Sequence, residues 1–287
     1  MAQITLYIIG NGFDIAHGID SRYSDFERYV RQQGKNNLVT LMDVFFSNKR
    51  DLWGDIEKAL GEYDENSVLD FCRPNEEFDI DHSLRDSAII EDSPDAIFKP
   101  TLADFYEIFD DWVESIDISK ARQIFSFSKS DLFFTFNYTD TLETIYQIPQ
   151  SQVFHIHGSR ILKGDKYILG HNNYRDSLEA FDDESEMLFE QNAYEKIITW
   201  MNGYVKNTHS IIAGHKSFFS KLTNIGKIVT IGHSFYEVDW PYMEEIVKVT
   251  GQNTEWEFHY HSFNNDLPRM KSFVSQVGLN KVKYVKS

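Results

Sequence analysis

Between Ile8 and Ile19 the chain reads IIGNGFDIAHGI, an apolar strand running straight into a glycine-punctuated turn. No other feature restricts the fold as much. Thr5 to Ile9 is short, apolar and β-branched, as expected of a strand buried on both faces of a parallel sheet. Gly10 and Gly12 let the backbone turn tightly and approach a ligand, and a helix starting near Phe13 would aim its unpaired N–H groups at a phosphate. The turn has two readings: a phosphate cradle, or glycines that serve plain packing.

The remaining pattern alternates strands with helices. Tyr23 to Val30, Leu38 to Phe46 and Trp53 to Leu60 carry helical spacing. Pro100 then opens an amphipathic helix in which Leu102, Phe105, Phe109, Trp112 and Ile116 form a core stripe. Strands are expected at Leu132 to Phe136, Val153 to Ile156, Tyr167 to Leu169, Ile228 to Ile231 and Trp256 to Phe263, with Val282 to Val285 closing an edge. Asp140 and Glu143 together read as a cap for the helix carrying Leu142 and Ile145, and Ala193 to Val205 reads as a further helix. The expected architecture is therefore α/β: one doubly wound, mostly parallel, Rossmann-like domain over 1–287 with a mainly helical insertion at about 38–128.

Charge narrows the partners. With 28 basic and 45 acidic residues the net charge is −17, which disfavours a nucleic-acid backbone, and no basic patch offsets it. Twelve acids against Arg73 and Arg85 fall between Glu62 and Asp95, the mark of a solvated acidic insertion or of a partner surface. A hydrophobic share of 41% is ample for a core, and no apolar run approaches the ~20 residues that span a bilayer. The N-terminus lacks a basic start and a small-residue cleavage site, so a cytoplasmic protein is expected. The lone Cys72 excludes an internal disulfide or a four-cysteine zinc site and reads as a core thiol.

Polar residues gather at four strand ends: GNGFD at Gly10 to Asp14, FNYTD at Phe136 to Asp140, HIHGS at His155 to Ser159 and GHSF at Gly232 to Phe235. Ligands of open α/β sheets sit outside the carboxyl ends of the strands, so their coincidence points to a shared site. Each has a bland alternative: Asn137 as a helix cap, His157 as a satisfied core histidine, Gly232 with Ser234 as a turn.

The ordered motifs GNGFDIAHGI, TFNYTDTLE, HIHGS and GHSFYEVDWPYM resemble the abortive-infection H family of bacterial anti-phage proteins over nearly the whole chain. They also resemble, more distantly, the NAD-binding core of sirtuins. In that core the glycine turn corresponds to Gly10, Asn11, Gly12, Gly18 and Ile19, the catalytic asparagine to Asn137, the histidine before a glycine to His157, and the late glycine-serine turn to Gly232 and Ser234. Asp14 stands where sirtuins usually have serine, Asp20 where they have proline, and the zinc ribbon is absent. The resemblance thus implies a sirtuin-like NADase of phage defence, with NAD as substrate and no metal.

On that reading Asn137 and His157 are catalytic. The dinucleotide is held by Gly10, Asn11, Gly12, Phe13, Asp14 and Gly18 of the first turn, and by Tyr138, Asp140, Gly158 and Ser159 at the middle strand ends. Gly232, His233, Ser234, Phe235 and Asp239 complete the set. Nicotinamide leaves as a neutral molecule, so little acid catalysis is needed. The ribose cation must be stabilised and water delivered to it, tasks suited to a neutral histidine and an asparagine amide. Two alternatives remain open: a non-catalytic NAD or ADP-ribose sensor, and a metal-dependent phosphohydrolase built on His155 and His157. An enzyme that drains NAD must be restrained, so a homo-oligomer or a partner defence protein such as an ATPase is expected. The acidic insertion and an aromatic face near Trp240 and Tyr242 are the candidate surfaces.

Overall fold

A computed structural model describes residues 4–46, 52–72, 84–162, 167–176 and 188–287. The side chain of Cys72 and the middle of the acidic segment, 73–83, lie outside the described residues.

Six strands form one sheet: β1 Ile4–Ile9, β2 Leu132–Thr135, β3 Val153–His155, β4 Ile225–Ile231, β5 Glu255–Tyr260 and β6 Lys281–Lys286. Every pairing is parallel and the spatial order is β3-β2-β1-β4-β5-β6. The chain builds outward from β1 through β2 to β3, then crosses back to lay β4 on the other side of β1. That doubly wound order creates a topological switch between β1 and β4. The expected α/β class is therefore the observed one.

Alternate residues of each strand serve opposite faces, as the two-residue period requires. Leu6 and Ile8 join Phe134, Ile228, Trp256 and Phe258 in a cluster completed by Tyr242, Met243 and Ile246 of the helix Trp240–Thr250 and by Met270 and Phe273 of the helix Asp266–Val277. Ile9, Phe133, Val229 and Ile231 line the other face, where Phe13, Phe125, Phe127 and Tyr146 cover them. Edge strand β6 is protected differently, with Lys281, Lys283 and Lys286 along it discouraging a further strand.

The chain divides into two compact units, one of 1–21, 113–168 and 207–287, the other of 22–112 and 169–206. The first holds the whole sheet and every candidate site residue. The second is helical in its described residues, including Tyr23–Gln32, Asn36–Phe45, Ile56–Gly61 and Leu188–Asn202. Its core is aromatic: Phe26 packs against Phe105, Phe109 and Trp112, with ring centroids 5.2–5.5 Å away. The stripe read along the helix Lys99–Ser115 is thus core.

Two local expectations are corrected. Tyr167 to Leu169 is not a strand: its Ile168 N–H reaches the His157 carbonyl at 2.9 Å beyond the end of β3, with no ladder behind it. Asp140 does precede the helix Thr141–Tyr146 but makes no side-chain cap. It accepts instead from Thr144 and Arg160, while Glu143 turns to His155, so the two carboxylates are drawn away from the helix N–H groups.

Candidate functional site

Register brings the polar strand ends level. Ile9 lies opposite both Thr135 and Ile231, and Thr135 lies opposite His155, so the segments after β1, β2, β3 and β4 all leave the sheet at one end.

The glycine turn and the Gly232 turn interlock. Gly10 N–H donates to the Ile231 carbonyl at 3.0 Å and Gly12 N–H to the Gly232 carbonyl at 2.9 Å. A Cβ on Gly10 would lie 2.6 Å from the Gly232 oxygen, and one on Gly12 would lie 2.7 Å from the Gly232 Cα. Gly232, at φ +69°, would bring its Cβ within 2.2 Å of the Phe13 nitrogen. These glycines let two backbones touch at the β1–β4 switch. Gly18, at φ +73°, has open space around it. Asn11 ties the turn down through Ser21, donating to its carbonyl at 2.7 Å and accepting from its hydroxyl at 2.6 Å. Phe13 is buried against His17, Phe125 and Tyr146.

Asp14 follows on the short helix Gly12–Ala16 and is buried. Thr139 Oγ donates to its Oδ2 at 2.5 Å, and Thr141 lies 3.1 Å beyond Thr139. Burial raises the Asp14 carboxyl above the usual range, while the Thr139 and Thr141 hydroxyls, His17 and the Asn137 amide pull the other way. Among the described residues its Oδ1 nevertheless has no hydrogen bond, and neither do the buried Asn137 Oδ1, Ser159 Oγ and Asp239 Oδ1.

Asn137 itself is held by its backbone. Its N–H reaches Thr135 Oγ at 3.1 Å, and its carbonyl meets His155 Nδ1 at 2.9 Å. His155 Nε2 in turn faces Glu143 at 2.9 Å, so an imidazole ties the β2 end to the following helix. Next in the chain, Tyr138 donates to the Ile168 carbonyl at 3.0 Å. Asp140 pairs with Arg160; burial opposes its charge, but the Thr144 hydroxyl and the guanidinium win and hold its carboxyl below the usual range.

Beyond β3 the chain turns at Gly158, φ +86°, and leaves His157 buried. His157 Nε2 lies 3.7 Å from Asp239 Oδ1, and His233 Nε2 lies 3.4 Å from Asp239 Oδ2, so one carboxylate stands between two imidazoles. Phe136 packs on both rings, 5.2 Å from His157 and 4.4 Å from His233, and Tyr242 approaches His157 at 5.8 Å. Ser234 is half-buried, and Phe235 is buried at φ 55°, a strained conformation for a bulky residue. Trp240 and Tyr242, expected on a surface, are both buried; Tyr242 forms part of the wall of this cluster.

Thr139, Thr141, Glu143, Phe136 and Tyr242 join the site although the sequence pattern assigned none of them a role in it. Among the described residues no three His, Cys, Asp or Glu side chains are arranged to hold a metal ion, and His155 is engaged by the Asn137 carbonyl and Glu143. Nor is any described helix long and apolar enough to cross a membrane.

A doubly wound parallel sheet with buried carboxylates, amide and imidazoles gathered at its carboxyl end defines the class, an α/β protein with a switch-point polar site. The chain matches the bacteriophage abortive infection AbiH family over residues 6–260 and belongs to that family, whose role is in phage defence. No curated protein and no solved structure matches it.

Proposed function

We propose that this defence protein is a cytoplasmic effector that hydrolyses NAD to nicotinamide and ADP-ribose at the carboxyl ends of β1 to β4. One observation supports this above the others. Asn137 and His157 leave neighbouring strands level with each other, both buried, and Asn137 Oδ1 and Ser159 Oγ have no hydrogen bond among the described residues. Buried polar atoms are rarely left so, and the hydroxyls of a ribose are suited to meet them.

Each residue then has a task. Asn137 holds the attacking water or a ribose hydroxyl with one donor and one acceptor, His157 accepts the water's proton, and Asp14 accepts from ribose hydroxyls. The C1′–nitrogen bond breaks, its electron pair leaves with nicotinamide, and the water oxygen bonds C1′. Apolar walls from Phe136 and Tyr242 strengthen these contacts by lowering the local dielectric. Restraint before infection comes from oligomerisation or from a partner defence protein.

The test incubates the purified full chain with NAD, alone and with extract of phage-infected cells, and follows nicotinamide by chromatography. Release of nicotinamide that is lost in His157→Ala supports the reading. Binding of NAD without consumption in both conditions overturns it in favour of a sensor.

A further inference from the structure

Asp239 occupies the N-cap of the helix Trp240–Thr250, where an aspartate usually accepts from the helix N–H groups, yet its side chain makes no cap hydrogen bond. The carboxylate goes instead between His157 and His233, at 3.7 and 3.4 Å, in a buried pocket. A second strained feature serves the same cluster: Phe235, at φ 55°, turns its N–H onto His233 Nδ1 at 3.0 Å.

That last hydrogen bond decides a tautomer. Because His233 Nδ1 accepts, its ring proton resides on Nε2, the nitrogen 3.4 Å from Asp239 Oδ2. The other carboxylate oxygen, Oδ1, has no hydrogen bond among the described residues and lies 3.7 Å from His157 Nε2, so its pull on that ring is electrostatic. The geometry points to Asp239 as a positioning residue that fixes His157 as the Nε2–H tautomer, so that Nδ1 is the nitrogen that accepts a proton. This deepens the hydrolysis reading above, and its kinetic arm rests on that reading. In the step, water bonds C1′, the C1′–nitrogen pair departs with nicotinamide, and the water proton goes to Nδ1. The imidazolium so formed is stabilised by the Asp239 carboxylate, while Phe136, Tyr138 and Tyr242 face the same ring with their aromatic systems.

Asp239→Asn reverses the hydrogen-bonding sense offered to His157. His233 still requires an acceptor, so the amide oxygen turns to it and the amide nitrogen faces His157, forcing the His157 proton onto Nδ1. Nitrogen-15 NMR of histidine-labelled full-length protein is expected to show Nε2–H at His157 in the parent and Nδ1–H in Asp239→Asn, with the titration midpoint of His157 moved to lower pH. Turnover should fall about 10³-fold in kcat with little change in KM, and Asp239→Glu should recover part of it. The acid limb of any residual activity should move to lower pH. His233→Ala, which keeps the carboxylate but removes its clamp, should leave His157 as a mixture of tautomers. If the parent consumes no NAD, the hydrolysis reading fails while the NMR arm still decides the positioning role. An unchanged His157 tautomer and midpoint in both Asp239→Asn and His233→Ala overturns it.

Discussion

Two buried aspartates stand at the same end of one sheet in opposite surroundings. Asp14, after β1, meets hydroxyls and an amide, and burial pushes its carboxyl upward. Asp239, after β4, sits between two imidazoles that can take up or share its charge. The residue type is the same, so the difference lies in the partners. On the proposed function, a carboxylate held by hydroxyls and an amide is a costly, adjustable ligand contact, and one between histidines orients a base.

The largest expected effect falls on the imidazole side. His157→Ala should lower NAD turnover by about 10³-fold, within the range general bases contribute, without unfolding the chain. Asn137→Ala should do nearly as much by misplacing water or ribose. Equal expression, nicotinamide release and phage protection are the measurements; full activity in His157→Ala would remove the distinction between the two clusters.

Next in size is His155→Ala, which turns a third carboxylate, Glu143, from a histidine-partnered group into one resembling Asp14. Breaking a buried pair costs about 3 kcal/mol when the remaining charge is left unpartnered; Glu143 keeps some exposure, so about 2 kcal/mol is expected here, with the Asn137 carbonyl losing its donor too. Denaturant unfolding should register that loss. Stability should suffer more than chemistry, so a variant of unchanged stability would show that the imidazole bridge carries no load.

Asp14→Asn should have a smaller and opposite effect on stability. Burial raises the folded-state carboxyl, so the wild-type contribution is full below the unfolded value and is lost as pH rises through the folded value. The amide escapes that loss. Its melting advantage should therefore be absent in acid and grow toward neutral pH, reaching a few degrees if about 1 kcal/mol is relieved. On the proposed function NAD turnover should fall at the same time, because a contact to ribose would be weakened. A melting difference that is flat with pH would show that Asp14 is not held against its charge.

The sheet was legible because strands buried on both faces carry an unmistakable apolar, β-branched signature between glycine turns, as in TLYII and KIVTI. The short run at Tyr167 carried too little of that signature to separate a strand from an irregular segment. At the site, residues adjacent to strand ends could be found locally, but their pairings could not. Nothing near Asp239 in the chain reveals that β3 delivers His157 to it, since only the crossover from β3 to β4 brings them together. Thr139 and Thr141 left a clue, two hydroxyls at the spacing of one face directly after Asn137. The burial of Trp240 could also have been read, because Trp240, Met243, Ile246 and Val247 repeat at helical steps.

The smallest effect comes from a carboxylate outside the site, where cations are plentiful. Glu257, on β5, is crossed by Lys227 from β4 at 3.0 Å and Lys283 from β6 at 3.1 Å, and meets His259 at 2.8 Å on its own strand. Burial alone would raise its carboxyl, yet these donors together hold it down to about 2. A depressed folded value contributes stability above the unfolded value and loses it as pH falls from about 4.5 toward about 2. Glu257→Gln should flatten the unfolding profile in that acid window and lower stability near neutral pH, by less than about 1 kcal/mol because Lys283 is largely exposed and screened. Added salt should narrow the difference between the two proteins. Asp14→Asn and Glu257→Gln thus have opposite signs in the same sheet, one removing a charge that burial opposes and the other a charge that three neighbours favour; if both variants shifted stability in the same direction near neutral pH, partner chemistry would not be what separates these carboxylates.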